Sequence, residues 1–152
     1  MTKTPSLSAL KIVSLAIHFS VLIYVFIIFI LARSQAWDPA SWGEMIKPEN
    51  EILVYVLIAL SGIMFFISLM APQFFRSKNS QASGEGNLIL NFSEFTPHVY
   101  TLTILRLALA ESIAIFGFVL AFLNQSPWLI VPFALVSMAL QVVVGPWIKK
   151  KG

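Results

Sequence analysis

The chain of 152 residues contains no cysteine, and only 11% of its residues are charged. The missing thiols exclude disulfides, thiolate metal centres, iron–sulfur ligation and a cysteine nucleophile, and leave the redox compartment undefined. The scarcity of charge excludes more. Soluble domains carry about 25% charged and about 45–50% apolar residues, whereas 58% of this chain is hydrophobic and its mean hydropathy is +0.85. Neither a soluble globular domain nor a disordered chain has that composition. Ten scattered Lys and Arg give a net charge of +3 without the basic face that a nucleic-acid module needs, so no nucleic-acid partner is expected. There is no Walker loop, no His-Glu-x-x-His and no Gly-x-Ser-x-Gly, so nothing encodes a hydrolytic or phosphoryl-transfer enzyme, and no cofactor is implied. No internal repeat of 20–50 residues is evident either.

What is present is apolar sequence in long uncharged runs. A helix needs about 20 mostly apolar residues to cross about 30 Å of hydrocarbon. Ile12 to Leu31 supplies one span and Ile52 to Phe75 a second. Ser112 to Ile148 holds no charge at all, yet as a single helix it would run about 55 Å, so it must turn back at Asn124-Gln125-Ser126-Pro127. Ser126 reads as an N-cap with Pro127 at the first helical position, and Thr96-Pro97 repeats the signal. The expectation is an all-α integral membrane four-helix bundle with spans over about 7–31, 51–71, 97–123 and 127–147. A flexible loop, 72–96, is Ser/Asn/Gly-rich over 77–87, and Asp38-Pro39 opens a short surface helix through Ile46. The first span also has the Lys-containing start and the downstream small residues of a signal peptide. Its apolar run of about 20 exceeds the usual 7–15, which favours retention.

Lys and Arg orient the spans. Lys3, Lys11, Arg76, Lys78, Lys149, Lys150 and Lys151 fall on one side; Arg33 and Lys47 fall on the other, in a loop with Asp38, Glu44, Glu49 and Glu51. Both termini are therefore expected in the cytoplasm, in a bacterial inner membrane. Trp37, Trp42 and Trp128 then mark the outer interface and Trp147 the inner one.

One ionisable group stands out. Glu111 lies well inside the third span, where a carboxylate costs roughly 3 kcal/mol or more and needs a partner or a water-filled path. In a hairpin turning near Ser126, positions whose numbers sum to about 252 lie level, which sets Glu111 opposite Gln141, about 5 Å cytoplasmic of the midplane. Desolvation there favours the neutral acid. The same register puts Arg106 beside Pro146, from where its side chain is expected to snorkel to headgroups. Five residues separate Arg106 from Glu111, about 140° around the helix, which argues against a pair. Thr103, Ala110, Ala114, Gly117 and Ala121 form a stripe of small residues, with Glu111 at its edge and Ser112 turned away. Such a stripe lets another helix approach closely and is expected to carry self-association into a homo-oligomer. His18 and His98 both lie in the inner half. A haem between them is disfavoured, because their depths differ and no second pair exists. Met64, Met70 and Met138 read as gap fillers.

The segment Ala110-Glu111-Ser112-Ile113-Ala114-Ile115-Phe116-Gly117-Phe118-Val119-Leu120-Ala121 resembles the carboxylate-bearing helix of the c subunit, or proteolipid, of rotary ATP synthases. The likeness covers about a dozen residues. It implies that Glu111 carries H⁺ or Na⁺ and that Ser112 can be a ligand; Gln141 is added as a third ligand from the register argument. The rest of the chain departs from the family. The second span has Ser61-Gly62 among large side chains such as Phe65 and Phe66 in place of alternating glycines, and its inner loop is much longer. Two readings follow: an oligomeric, even ring-forming, ion-binding component divergent from the c subunit, or a structural subunit that scaffolds other membrane subunits without transport.

Overall fold

A computed structural model describes residues 7–35, 37, 50–74 and 97–146, apart from the side chains of 72–74 and 97–98. Four long elements account for almost all of it: α1 (Leu7–Ser34), α2 (Glu51–Phe74), α3 (Pro97–Asn124) and, after a 3₁₀ turn over Pro127–Leu129, α4 (Ile130–Val144). No strand occurs among the described residues. All four spans are long and apolar enough to cross a bilayer, the last being counted from Pro127 to Val144.

Their exteriors are those of helices solvated by lipid. Phe19, Phe26, Ile52, Phe66 and Leu135 are each more than half exposed, while Ser14, Ser68, Thr103, Arg106, Asn124, Ser126, Ser137 and Gln141 are fully buried. In water this distribution would forfeit the burial that folds a chain; in hydrocarbon, polar groups gather inside and apolar ones face out.

The helix ends lie within three residues of the expected span bounds, and the fourth differs in kind. Residues 72–74 prolong α2 into the expected loop; 75–96 lie outside the described residues, as do Thr96, Trp42, Trp147 and the short helix expected over 38–46. The last span is not one α-helix over 127–147. It opens as a 3₁₀ turn and ends at Val144, because Gly145 precedes Pro146 and is extended (φ −74°, ψ 169°), the conformation that a following proline favours. Pro127 does occupy the first turn, but Ser126 makes no side-chain cap and its Oγ is buried without a partner. The hairpin is closed instead by α3 itself. Gln125 adopts φ 53°, with Gln125 N–H donating to Phe122 O (3.2 Å) and Ser126 N–H to Ala121 O (3.0 Å), the paired bonds of a Schellman ending.

α3 is the central element. It packs on all three others, α4 also packs on α1, and α1 and α2 share no extended seam. Ile28 with Ala121, Val21 with Ala114, and Ile17 with Leu107 fall in shared core clusters, so α1 and α3 run parallel in step. Asn50 Nδ2 donates to Leu123 O at one end of α2, and Ser68 meets Arg106 toward the other, so α2 runs antiparallel.

The small-residue stripe is used inside the chain. Ala110, Ala114 and Ala121 are fully buried, and a Cβ on Gly117 would fall 2.4 Å from Phe133 Cβ. This face of α3 receives α4 and α1, so it is not open to a second copy.

Candidate functional site

Glu111 sits at the midpoint of the 28-residue α3 and Ser20 at that of the 28-residue α1. Glu111 is half-buried on the flank of α3 that meets α1, at the edge of the exposed stripe formed by Ala108, Ser112, Ile115 and Val119. Its Oε1 accepts hydrogen bonds from Ser20 Oγ and from Tyr24 Oη, the latter at 3.0 Å. Ser20 and Tyr24 are four residues apart and so project from one side of α1. Tyr24 is steadied by Phe118, one α3 turn from Ala114, with ring centroids 6.0 Å apart.

Counting hydrogens defines what this cluster can do. Ser20 Oγ also lies 2.7 Å from Ile17 O, so three oxygen–oxygen contacts require three hydrogens. The two hydroxyls supply two. With Glu111 ionised, the single Ser20 proton has to be shared between Ile17 O and Oε1. With Glu111 protonated, its own hydrogen goes to Ser20 Oγ, the Ser20 hydrogen to Ile17 O and the Tyr24 hydrogen to Glu111. Every contact is then satisfied.

The residues expected beside Glu111 do not converge on it. Ser112 lies on the exposed stripe, and its Oγ donates to Ala108 O of its own helix at 3.0 Å. Gln141 is fully buried on α4; its Nε2 donates to Ser137 Oγ (3.3 Å), which in turn donates to Ala110 O (2.7 Å). The contact of Ser137 with Ala110 gives a register sum nearer 247 than 252. A 3₁₀ turn rises about 2.0 Å per residue against about 1.5 Å, so three such residues carry α4 about one residue further from the hairpin than a continuous α-helix would, which accounts for part of the difference. Gln141 accordingly falls near the level of Arg106.

Arg106 is also corrected. It does not reach headgroups: it is fully buried, its Nε donates to Ser68 O (2.7 Å), and Ser68 Oγ donates back to Arg106 O (3.2 Å). Arg106 thus faces α2 while Glu111 faces α1, as their angular separation on α3 requires. His18 Nδ1 lies 2.7 Å from Ser14 O, a local bond one turn back, and the side chain of His98 is outside the described residues. Met64 and Met138 fill core gaps as expected. Trp128 is half-exposed and stacks edge-on against Phe29, but Trp37 is buried, its Nε1 donating to Gln35 Oε1.

Sequence reasoning missed Ser20 and Tyr24. A usable signal was present: two hydroxyls spaced i, i+4 in an otherwise apolar helix, centred at the same depth as Glu111. No group of three or more His, Cys, Asp or Glu able to hold a metal occurs among the described residues. No family model, curated protein or solved structure matches the chain.

Proposed function

We propose that the protein is a four-span membrane component whose working group is Glu111, a carboxyl that takes up and releases a proton within the bilayer. The observation that carries this reading is the set of contacts joining Glu111, Ser20, Tyr24 and Ile17 O, each of which holds a hydrogen of its own when the acid carries a proton. The two further ligands that a Na⁺ site would draw on, Ser112 and Gln141, bond elsewhere, which favours H⁺ over Na⁺. The resemblance to the c-subunit helix supports a carboxyl of this kind. Assembly into a closed ring through the small-residue stripe is not part of the proposal, since α4 and α1 occupy that face. The Lys-rich ends support a cytoplasmic location for both termini in this reading, which takes the membrane to be a bacterial inner membrane.

Dicyclohexylcarbodiimide, an apolar reagent that modifies protonated carboxyls, tests it. Glu111 should be modified, labelling should fall as the medium is made alkaline, and Na⁺ should give no protection. Absence of labelling at every pH would reject the reading, and protection by Na⁺ would replace H⁺ by Na⁺.

A second reading is favoured by one observation: both donors to Glu111 belong to the same chain, so the cluster also ties α1 to α3. In a purely structural subunit Glu111→Gln would preserve both assembly and the activity of the complex, because an amide keeps an acceptor for the hydroxyls. An active proton carrier loses function with assembly intact.

A further inference from the structure

The buried polar groups are not spread evenly along the bundle. Taking α3 as the ruler, Thr103 and Arg106 lie on it directly, and Ser68 is level with Arg106 through their mutual hydrogen bonds. Ile17, Leu69, Leu107, Leu140 and Val144 share one core cluster, which brings Ser14, one turn before Ile17, and Gln141, next to Leu140, to the same layer. Ser137 reaches Ala110 O just above it. All four helices therefore contribute a fully buried polar side chain to one layer on the side of Glu111 nearer the start of α1 and the end of α4.

Beyond Glu111 the character changes. From Ala114 to Leu123, about 15 Å of helix, the buried positions on the other elements are Val21, Ile28, Ala32, Val54, Ala134, Ile130 and Leu129, all apolar; Ser61 of α2, level with Ile113 in the register set by Asn50 and Ser68, marks the near edge of this block, and its Oγ donates to Leu57 O of its own helix. Beyond that edge, among the described residues, buried polar side chains return at Asn124 and Ser126 in the hairpin turn. This dry block separates Glu111 from the turn.

Two atoms in the polar layer need a partner. Ser14 Oγ and Gln141 Oε1 are buried and have none. The sense of Gln141 is fixed by its neighbours: the Ser137 hydrogen is committed to Ala110 O, so Ser137 Oγ can only accept from Gln141, and the atom left over is the acceptor Oε1. A fully buried acceptor without a donor is the usual seat of an internal water.

We infer that water occupies the Ser14–Gln141 layer and that Glu111 exchanges its proton through this half of the bundle, with the compartment facing the start of α1 and the end of α4, while the apolar block closes it to the other side. The inference rests on the proton-carrying role proposed for Glu111 and adds a direction to it. Few titratable groups face Glu111: Tyr24 from α1, with His18 nearby on that helix; Arg106 on α3, turned toward α2; none from α4; and from α2 only Glu51 and Tyr55, at its far end.

The test uses the whole chain in phospholipid vesicles. Because the chain has no cysteine, Gly152→Cys and an impermeant thiol reagent report which way it is inserted. The rate at which dicyclohexylcarbodiimide modifies Glu111 is then measured while the pH is raised on one side at a time. Labelling is expected to fall, approaching tenfold per pH unit in the alkaline range, when the pH changes on the side of the termini, and to stay constant when it changes on the side of the 124–126 turn. Ser14→Ala with Gln141→Leu, which dries the layer with side chains of similar volume, should slow the response on the terminal side at least severalfold. Equal response to both sides, response to the turn side alone, or an unaltered response in the dried variant would overturn the inference. Failure of Glu111 to be labelled in detergent at any pH would instead overturn the proton-carrying reading, and the inference with it.

Discussion

Substituting Gly117 by alanine tests how tightly α3 and α4 are joined. The added Cβ would lie 2.4 Å from Phe133 Cβ, 2.8 Å from Cγ and 3.1 Å from Cδ2. The nearest of these is about 1 Å inside the 3.4 Å at which ordinary contact begins. Rotating the Phe133 ring removes the two longer clashes but not the first, because a Cβ moves only with its backbone. The helices must therefore separate locally by about 1 Å, and a gap of that size forfeits up to about half of each van der Waals contact along the seam of Ala110, Ala114 and Ala121. Over-packing of this kind costs about 1–3 kcal/mol. Helix propensity opposes it, since Gly to Ala gains about 1 kcal/mol, so the net loss is expected to be about 0–2 kcal/mol. Gly117→Leu avoids that ambiguity and should fall at or beyond the upper end. The assay is reversible unfolding in mixed micelles of increasing dodecyl sulfate content, followed by circular dichroism. The double variants are diagnostic. Phe133→Ala leaves its Cβ in place and should rescue Gly117→Ala only in part, whereas Phe133→Gly should abolish the interaction between the two sites apart from its own propensity cost of about 1 kcal/mol. A Gly117→Leu variant as stable as the parent would refute the close approach and, with it, the intramolecular use of the small-residue stripe.

Other outcomes follow from single contacts. Gln125→Gly relieves a left-handed backbone at a helix end and should stabilise the chain by about 1 kcal/mol in the same assay; a loss would mean that Gln125 holds the turn by its side chain. Ser68→Ala should cost no more than about 1.5 kcal/mol, because Arg106 bonds the Ser68 backbone carbonyl, which the substitution keeps. Ser137→Ala removes the only acceptor shown for Gln141 and should cost about 1–3 kcal/mol. Tyr24→Phe takes one donor from Glu111, worth about 0.5–1.5 kcal/mol, and should speed carbodiimide modification roughly 2- to 10-fold. An unchanged rate would show that Tyr24 does not hold the carboxyl.

The elements were largely legible in the sequence because the membrane writes them plainly: uncharged runs of the right length, divided by Asn124-Gln125-Ser126-Pro127, yield four spans whose ends fall within three residues of those observed. The fourth failed locally. A proline at a helix start does not say whether the first turn will be α or 3₁₀; that turn accounts for about one residue of the register difference, and the rest, seen in the contact of Ser137 with Ala110, is set by how α3 and α4 pack across the hairpin. The prominence of Glu111 was legible, since charge at mid-span is conspicuous; its partners were not. Serine and tyrosine are common in membrane helices, and only tertiary packing shows which pair meets the acid. Arg106 illustrates a competing effect. The expected level beside Pro146 suggested snorkelling, yet the carbonyl of Ser68 on the antiparallel α2 offered a bond inside the bundle, and pairing between neighbouring helices is invisible to the sequence of either one.

Infrared difference spectroscopy of the membrane-embedded chain measures the protonation of Glu111 most directly. The carbonyl stretch of a carboxylic acid should be present, disappear in Glu111→Gln, shift in Tyr24→Phe and give way to a carboxylate band on alkalinisation. A spectrum in which Glu111→Gln removes only carboxylate absorption, under acidic and alkaline conditions alike, would contradict the account.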